Sequence, residues 1–358
     1  MTLPLTHPTL HTAQSRLKHA VRRTCTLLAG GLLAAGLLAG HAAAEETGDP
    51  GPAAYKSALE GKRVVLVPMS MGFDLAQGWA HYIGKEVKGF GGVFETRDPN
   101  WDIAAGAQAI TDLISSSNKP DVLIVQPPDL QSYTRLFKRA QEAGIFVIQV
   151  DNRTNYPTDA FVGSDWERLG ELEAEAVVKG CGPDSSKKIG LIQGDQVNAS
   201  SLDQYAGIAK VLKAHPDFTI VGEPDSNWDA TTARNVATTL LQQHPDVCGI
   251  IDFWDNTAKG TAAAIRDAGK AGKVFLVTTG GGEETDCTAL EDGTFGAVVM
   301  TEVKNQSRDV SALIKFLLQS GLKPGQSKTW IYTLETAATK ADVKPGTCWS
   351  LKETQAAQ

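Results

Sequence analysis

The sequence predicts an α/β protein of two similar lobes, each a doubly wound parallel sheet, and three observations carry that expectation. Apolar strand-like runs alternate with amphipathic helix-like runs, the pattern of parallel strands covered by helices. The pattern occurs twice at a nearly constant offset. The chain has 358 residues, 42% of them hydrophobic, which is enough for two cores rather than one.

The strand candidates are 63–68, 93–96, 122–126, 146–150, 188–193, 219–223, 249–253 and 274–278. Helical patterns lie between them at 103–116, 130–143, 201–214, 230–243 and 257–268, and His81 sits in another. Gly144 and Gly269 stand where a helix would stop, since glycine takes the left-handed conformation of a helix C-terminus without steric cost. The duplication is legible residue by residue. Asp98-Pro99-Asn100-Trp101-Asp102 recurs as Asp225-Ser226-Asn227-Trp228-Asp229, 127 positions on. Pro120-Asp121-Val122 recurs as Pro245-Asp246-Val247 and Ala143-Gly144 as Ala268-Gly269, both 125 positions on, and the strands starting at Arg63 and Lys188 share that offset. Four features in one order imply two successive lobes whose strand carboxyl ends face a shared region, where ligands of open parallel sheets bind. The segments to watch are 69–75, 126–129, 151–155, 194–202, 254–256 and 279–284.

The N-terminus reads as an export signal. Arg22-Arg23 closes a basic stretch, an apolar run covers 24–40, and Ala42-Ala43-Ala44 precedes Glu45-Glu46, so cleavage is expected after Ala44. The apolar run is short and rich in Gly and Ala, whereas a membrane span needs roughly 20 apolar residues. Of 34 basic residues, Arg16, Lys18, Arg22 and Arg23 fall in this segment, leaving 30 against 41 acidic ones. A surface of that sign repels phosphate backbones, and nucleic acid is not expected as a partner. Loss of the leader removes Cys25 and leaves Cys181, Cys248, Cys287 and Cys348, an even number in an oxidising compartment. Of the three possible pairings, Cys181–Cys248 and Cys287–Cys348 is preferred. Cys181 and Cys248 each precede a second-lobe strand at the same sheet edge, and Cys348 lies on a tail that should return to the lobe of Cys287.

The strand ends carry little material for catalysis. Four of the seven histidines, His7, His11, His19 and His41, lie in the leader, and His215 and His244 stand in His-Pro turns before strands. No nucleophile–base pair, CxxC metal motif or P-loop is present, and Gly280-Gly281-Gly282 reads as a flexible strand-end loop. Glu283, Glu284 and Asp286 read as a solvated acidic helix start. The expectation is therefore a protein that is not an enzyme, with no catalytic residue, metal or cofactor. Asp, Asn and Gln beside Trp suit reversible recognition: the polar groups pair with vicinal hydroxyls, and an indole packs on the C–H face of a sugar or polyol. Asp151 follows an apolar run, where an unpaired carboxylate is costly, so a ligand or hydrogen-bond network is expected there.

On these residues the chain resembles the periplasmic sugar-binding proteins of the ribose/galactose-binding class, the type I periplasmic binding fold, over roughly 62–323. The resemblance rests on Val64-Val65-Leu66-Val67, Gln126-Pro127-Pro128-Asp129, Val147-Ile148-Gln149-Val150-Asp151-Asn152, Val162-Gly163-Ser164-Asp165, Trp254-Asp255-Asn256 with Gly260, and Asp292-Gly293-Thr294-Phe295. It implies a hinged clamp with three crossovers, near Ser164, Glu302 and Trp330. The implied organisation is a signal peptide at 1–44, a flexible leader at 45–57, a first lobe of 58–164 with 303–329, a second of 165–302 with 330–350, and a tail at 351–358. The implied ligand set is Phe73, Asp74, Gln126, Asp151, Asn152, Ser201, Trp228, Trp254, Asp255, Gly280 and Thr301. Departures from ribose-type binders, with Asn152 and Leu202 at positions of arginine, Gly280 at an aspartate and Trp254 at an asparagine, imply a ligand with more apolar surface. The resemblance implies a monomeric periplasmic protein that carries a small sugar-like or polyol-like ligand to the membrane permease of an ABC transporter. A sensor of the same fold, signalling to a membrane kinase or chemoreceptor, is the alternative.

Overall fold

The computed structural model describes residues 51–356. The expected signal peptide, its cleavage point near Ala44 and Cys25 lie outside them. Two six-stranded sheets form the body. The first contains β1 (Arg63–Val67), β2 (Val93–Thr96), β3 (Val122–Val125), β4 (Phe146–Val150), β5 (Ala160–Gly163) and, much later in the chain, β11 (Thr329–Tyr332). Its order is β11-β5-β4-β3-β1-β2 and all its pairs are parallel. The second contains β6 (Lys188–Ile192), β7 (Thr219–Gly222), β8 (Gly249–Asp252), β9 (Phe275–Gly280), β10 (Ala297–Met300) and β12 (Thr336–Ala338). Its order, β12-β10-β9-β8-β6-β7, repeats the first, except that β12 runs antiparallel to β10.

β1 from Val64 on and β3 throughout are apolar because both faces are buried, β4 and β8 each add one buried polar residue, Gln149 and Asp252, and the side-chain period of two sends alternate residues to opposite cores. Val64, Leu66, Val122, Ile124 and Ile148 join one cluster with Trp79 and Ile83 of α2 (Asp74–Gly89) and Val310 and Ile314 of α10 (Val303–Gln319). Val65, Val67, Leu123, Val125 and Val147 join the other with Ile110 of α3 (Ile103–Ser115) and Phe137 of α4 (Thr134–Glu142). The second lobe is covered likewise by α5 (Trp166–Cys181), α6 (Ala199–Ala214), α7 (Ala230–Gln243), α8 (Asp255–Asp267) and α9 (Glu284–Glu291). The helix expected around His81 is α2 and the one expected to start at Glu283-Glu284 is α9, whereas α5 and α10 lie outside the helical patterns of the sequence, as do the strands β5, β10, β11 and β12. α5 carries Gly170 and Gly180 within its span, which weakens a local helical pattern that packing against the sheet nonetheless fixes.

In both sheets the strand order reverses between the first and third strands, β1/β3 and β6/β8, which is where doubly wound folds bind ligands. The chain passes between lobes after β5 at 164–165, after β10 at 301–302 and after β11 at 333–335. Trp330 is therefore inside a first-lobe strand, paired with Phe161, and the third crossing lies beyond it. Within the expected tail, α11 (Leu351–Ala356) packs on α2, so the chain returns to the first lobe a fourth time at Cys348-Trp349. The leader is likewise partly helical, α1 spanning Gly51–Ser57, with Tyr55 edge-on to Phe90 at 5.5 Å. Both disulfides pair as expected, Cys181 with Cys248 and Cys287 with Cys348, with Cα separations of 5.4 and 6.1 Å.

Candidate functional site

The repeated Asp-x-Asn-Trp-Asp segment is a device for presenting a ring. Asn100 and Trp101 take left-handed backbone angles (φ 50° and 66°), and so do Asn227 and Trp228 (φ 51° and 59°). Two consecutive such residues reverse the chain, and the final Asp caps the next helix: Asp102 accepts from Ala104 N and Ala105 N, and Asp229 from Thr232 N. Left-handed tryptophan is strained, and strain of this kind collects at ligand clamps. Gly194, just after β6, is required by the same arrangement, because a Cβ there would collide with the Trp228 indole.

These turns bring four rings together across the lobes. Trp254, directly after β8, meets Phe73 edge-on at 5.7 Å and Trp101 at 5.9 Å, both from the first lobe, and Trp228 at 6.2 Å from its own. Behind them lies a cavity of about 60 Å³. Its walls are Met69, Phe73, Leu75, Trp101, Gln126, Asp151 and Asn152 from the first lobe, and Trp166, Asn198, Ser200, Trp228, Phe253, Trp254, Thr279, Gly280 and Gly281 from the second, with Thr301 at the second crossing. That volume is well below the roughly 150 Å³ that admits a benzene ring, so the aromatic cluster must part to admit a sugar-sized solute. Outside the rings a wider mouth of about 340 Å³ runs between Pro99, Asp102 and Asp129 on one side and Asp195, Val197 and Asp229 on the other.

Asp151 is the most constrained polar group in the cavity. Its backbone is left-handed (φ 66°), its N–H donates to Val162 O at 2.7 Å, and its carbonyl accepts from Trp166 Nε1 at 2.9 Å. Oδ2 accepts from Gln126 Nε2 at 3.0 Å, and Gln126 Oε1 in turn accepts from Met69 N at 3.1 Å. Oδ1 is buried and has no partner among the described residues, as does Asn152 Oδ1. Burial pushes the Asp151 carboxyl up to about 6, with the Gln126 hydrogen bond opposing the rise. Two polar links hold the lobes together beside it: Asn198 Nδ2 donates to Pro128 O at 3.0 Å, and Arg153 pairs with Asp203 of α6 at 2.8 Å. The Arg153 pair is one-third exposed on each side and contributes little on its own.

Eight of the eleven expected ligand residues line this cavity, namely Phe73, Gln126, Asp151, Asn152, Trp228, Trp254, Gly280 and Thr301. Ser201 does not; its neighbour Ser200 does, one position round α6. Asp74 and Asp255 line a separate small cleft with Lys259 and Glu283. Asp286 corrects the expectation of a solvated helix start: it is fully buried, and burial followed by the charge of Asp255 lifts its carboxyl well above the ordinary range. Glu283 does cap α9, but the glycine loop before it is tied down, with Gly282 N donating to Asp286 Oδ2 at 3.1 Å. Met69, Asn198, Thr279 and Gly281 fall in segments marked by their place after strands. Trp166 carried no such signal, because the helix it opens was not anticipated.

Several carboxyl groups around the second lobe's strand ends are held above their usual range by burial, Glu173 to about 8 and Asp252 to about 7. A raised folded-state value means that the folded protein binds more protons than the unfolded chain between the two values, so this contribution to stability is full below about pH 4 and lost as pH rises through 6 to 8. The melting temperature of the ligand-free protein is therefore expected to fall between pH 5 and pH 8. Thermal unfolding followed by circular dichroism checks it, and a rise over that interval would contradict it.

Comparison with known proteins places this geometry in a wider group. A family model described as the periplasmic binding protein domain matches residues 64–323. The D-ribose/D-allose-binding protein of Pseudomonas aeruginosa is 29% identical over 164 residues, 44% of this chain and 50% of that protein. The chain thus spans about half the length of the curated relatives it matches first. An ABC transporter periplasmic solute-binding protein from Actinobacillus succinogenes, solved with D-allose, superposes with a TM-score of 0.71 at 20% identity, covering 78% of this chain and 98% of that one. One from Mycobacterium smegmatis, solved with glycerol, superposes with a TM-score of 0.71 at 24% identity, covering 79% and 95%.

Proposed function

The chain belongs to the periplasmic binding protein family, and from that premise we propose that it is an exported solute-binding protein that closes its two lobes on a small sugar-like or polyol-like molecule and delivers it to the membrane permease of an ABC importer. One observation carries the reading: Asp151, whose Oδ1 is buried without a partner, lines a cavity that both lobes wall with aromatic rings. A desolvated acceptor of this kind costs stability in the ligand-free protein, and a bound donor recovers it. The rings supply apolar faces for C–H surfaces, while Asp151, Asn152 and Gln126 supply the polar contacts. The proposed ligand set is the eight cavity residues expected from the sequence, joined by Trp101, Trp166, Asn198 and Ser200. Named ligands of the relatives, ribose and allose, define where a screen begins.

The test is a thermal-shift screen of the protein without residues 1–44 against pentoses, hexoses and short polyols. A ligand at a hundredfold excess over its dissociation constant stabilises by about 2.7 kcal/mol, which is several degrees for a protein of this size. Stabilisation by at least one such compound, lost in Trp254→Ala, is the expected outcome. No shift with any of them would remove the reading.

A further inference from the structure

We propose that the solute carries an amino group and binds as a cation, with its ammonium on the Asp151 carboxylate and its neighbouring carbons against the indole faces. This rests on the solute-binding reading of the same cavity and narrows its ligand class.

The hydrogen-bonding groups of the cavity are spent unevenly. Four of its side-chain donors are committed to protein acceptors: Gln126 Nε2 to Asp151 Oδ2, Asn198 Nδ2 to Pro128 O, Ser200 Oγ to Asn198 Oδ1 at 2.6 Å, and Thr279 Oγ1 to Glu173 Oε1 at 2.8 Å. Trp166 Nε1 and Trp228 Nε1 are bonded to Asp151 O and Asp195 Oδ2, whereas Trp101 Nε1 and Trp254 Nε1 have no acceptor among the described residues and Asn152 Nδ2 reaches only Met69 Sδ at 3.8 Å. Two acceptors are left over, Asp151 Oδ1 and Asn152 Oδ1, both buried. None of the described residues that line the cavity is Lys, Arg or His. The adjacent guanidinium, Arg153, is held by both carboxylate oxygens of Asp203 at 2.9 and 2.8 Å.

A ligand hydroxyl can donate to one of these acceptors but leaves the charge of the buried carboxylate uncompensated. An ammonium brings donors only. It also compensates the buried carboxylate, which no cation of the protein does, and it is attracted by the π faces of Phe73, Trp228 and Trp254. An unpaired buried carboxylate oxygen, the absence of Lys, Arg and His among the described lining residues, and a ring enclosure all select the same charge.

Calorimetry at pH 7.5 with three matched pairs tests this: glycerol against 2-amino-1,3-propanediol, D-glucose against D-glucosamine, and D-galactose against D-galactosamine. In at least one pair the amine is expected to bind about 10- to 100-fold more tightly than its alcohol, the range of a charge-assisted hydrogen bond. Asp151→Asn, which keeps the shape and removes the charge, is expected to abolish that preference. Neutral members binding as tightly as the amines would overturn the inference and leave the polyol reading standing. Binding of no member of any pair would overturn the inference alone, because the solute-binding reading stands or falls with the wider screen. The wild-type comparison alone decides the point if the variant fails to fold.

Discussion

Asp151→Ala is expected to weaken solute binding by about 1.5–3 kcal/mol, roughly 10- to 150-fold, while leaving the melting temperature of the ligand-free protein within about 3 °C of wild type. The two halves of this expectation have different sources. In the proposed complex the carboxylate would accept from the ligand's donors, and its removal would strand them. In the free protein the same group is a liability, buried with Oδ1 unpaired and with its protonated form favoured up to about pH 6. Its loss leaves only Gln126 Nε2 without an acceptor, a cost that the removed desolvation penalty offsets. Titration calorimetry and thermal unfolding of the same preparation measure both. A large drop in stability would mean that Asp151 is held for structure, and unchanged affinity would move the site elsewhere.

Trp349→Ala is expected to destabilise the protein by about 3–5 kcal/mol, the cost of removing a large buried aromatic side chain. Trp349 is 5% exposed and occupies the fourth passage between the lobes. Its backbone N–H donates to Gly282 O at 2.9 Å and its Nε1 to Gly281 O at 3.0 Å, both on the second lobe. Its ring lies in the first-lobe core beside Gly78 and Val303, where a Cβ on Gly78 would come within 3.0 Å of the indole. The adjacent Cys348–Cys287 disulfide fixes this strap to α9 and closes a loop of 61 residues. Removing that bond by Cys287→Ser with Cys348→Ser is expected to cost less, about 2–4 kcal/mol, because the indole still packs. Urea unfolding of both variants ranks the two effects, and a Trp349→Ala cost below 1 kcal/mol would contradict the packing role.

The repeated elements of this fold were the legible ones. The apolar runs 64–67 of β1 and 122–125 of β3, and the shorter ones 146–148 of β4 and 250–251 of β8, are written in the sequence because burial on both faces tolerates little else, and the doubled Asp-x-Asn-Trp-Asp turn announced both the two lobes and two of the four cavity rings. Elements that depend on partners distant in the chain were not legible. β11 and β12 are short strands, Thr329–Tyr332 half exposed and Thr336–Ala338 mostly so, and each exists because a sheet edge is there to pair with. The role of Trp349 has the same origin, since it is defined by a disulfide and by a helix surface more than 250 positions earlier. Asp286 reads as one of several acids at a helix start, and only the approach of Asp255 shows that it is buried. Ser200 was missed in favour of Ser201 because a helix face turns by 100° per residue, and the phase of α6 could not be set from its flanking loop alone.

The central claim is that the lobes close on the solute. Contacts made from both sides, Asp151 from the first lobe and Trp254 from the second, exist together only in the closed form, and a ligand shifts an open–closed equilibrium by its differential affinity for the two. The conformation described here, with Phe73 and Trp254 rings 5.7 Å apart and Arg153 paired to Asp203, is a closed one. Small-angle X-ray scattering of the protein without residues 1–44, alone and saturated with the tightest compound from the screen, measures the change directly. The account predicts a smaller radius of gyration on saturation and a scattering curve that then fits these coordinates; an unchanged radius of gyration at full occupancy would contradict it.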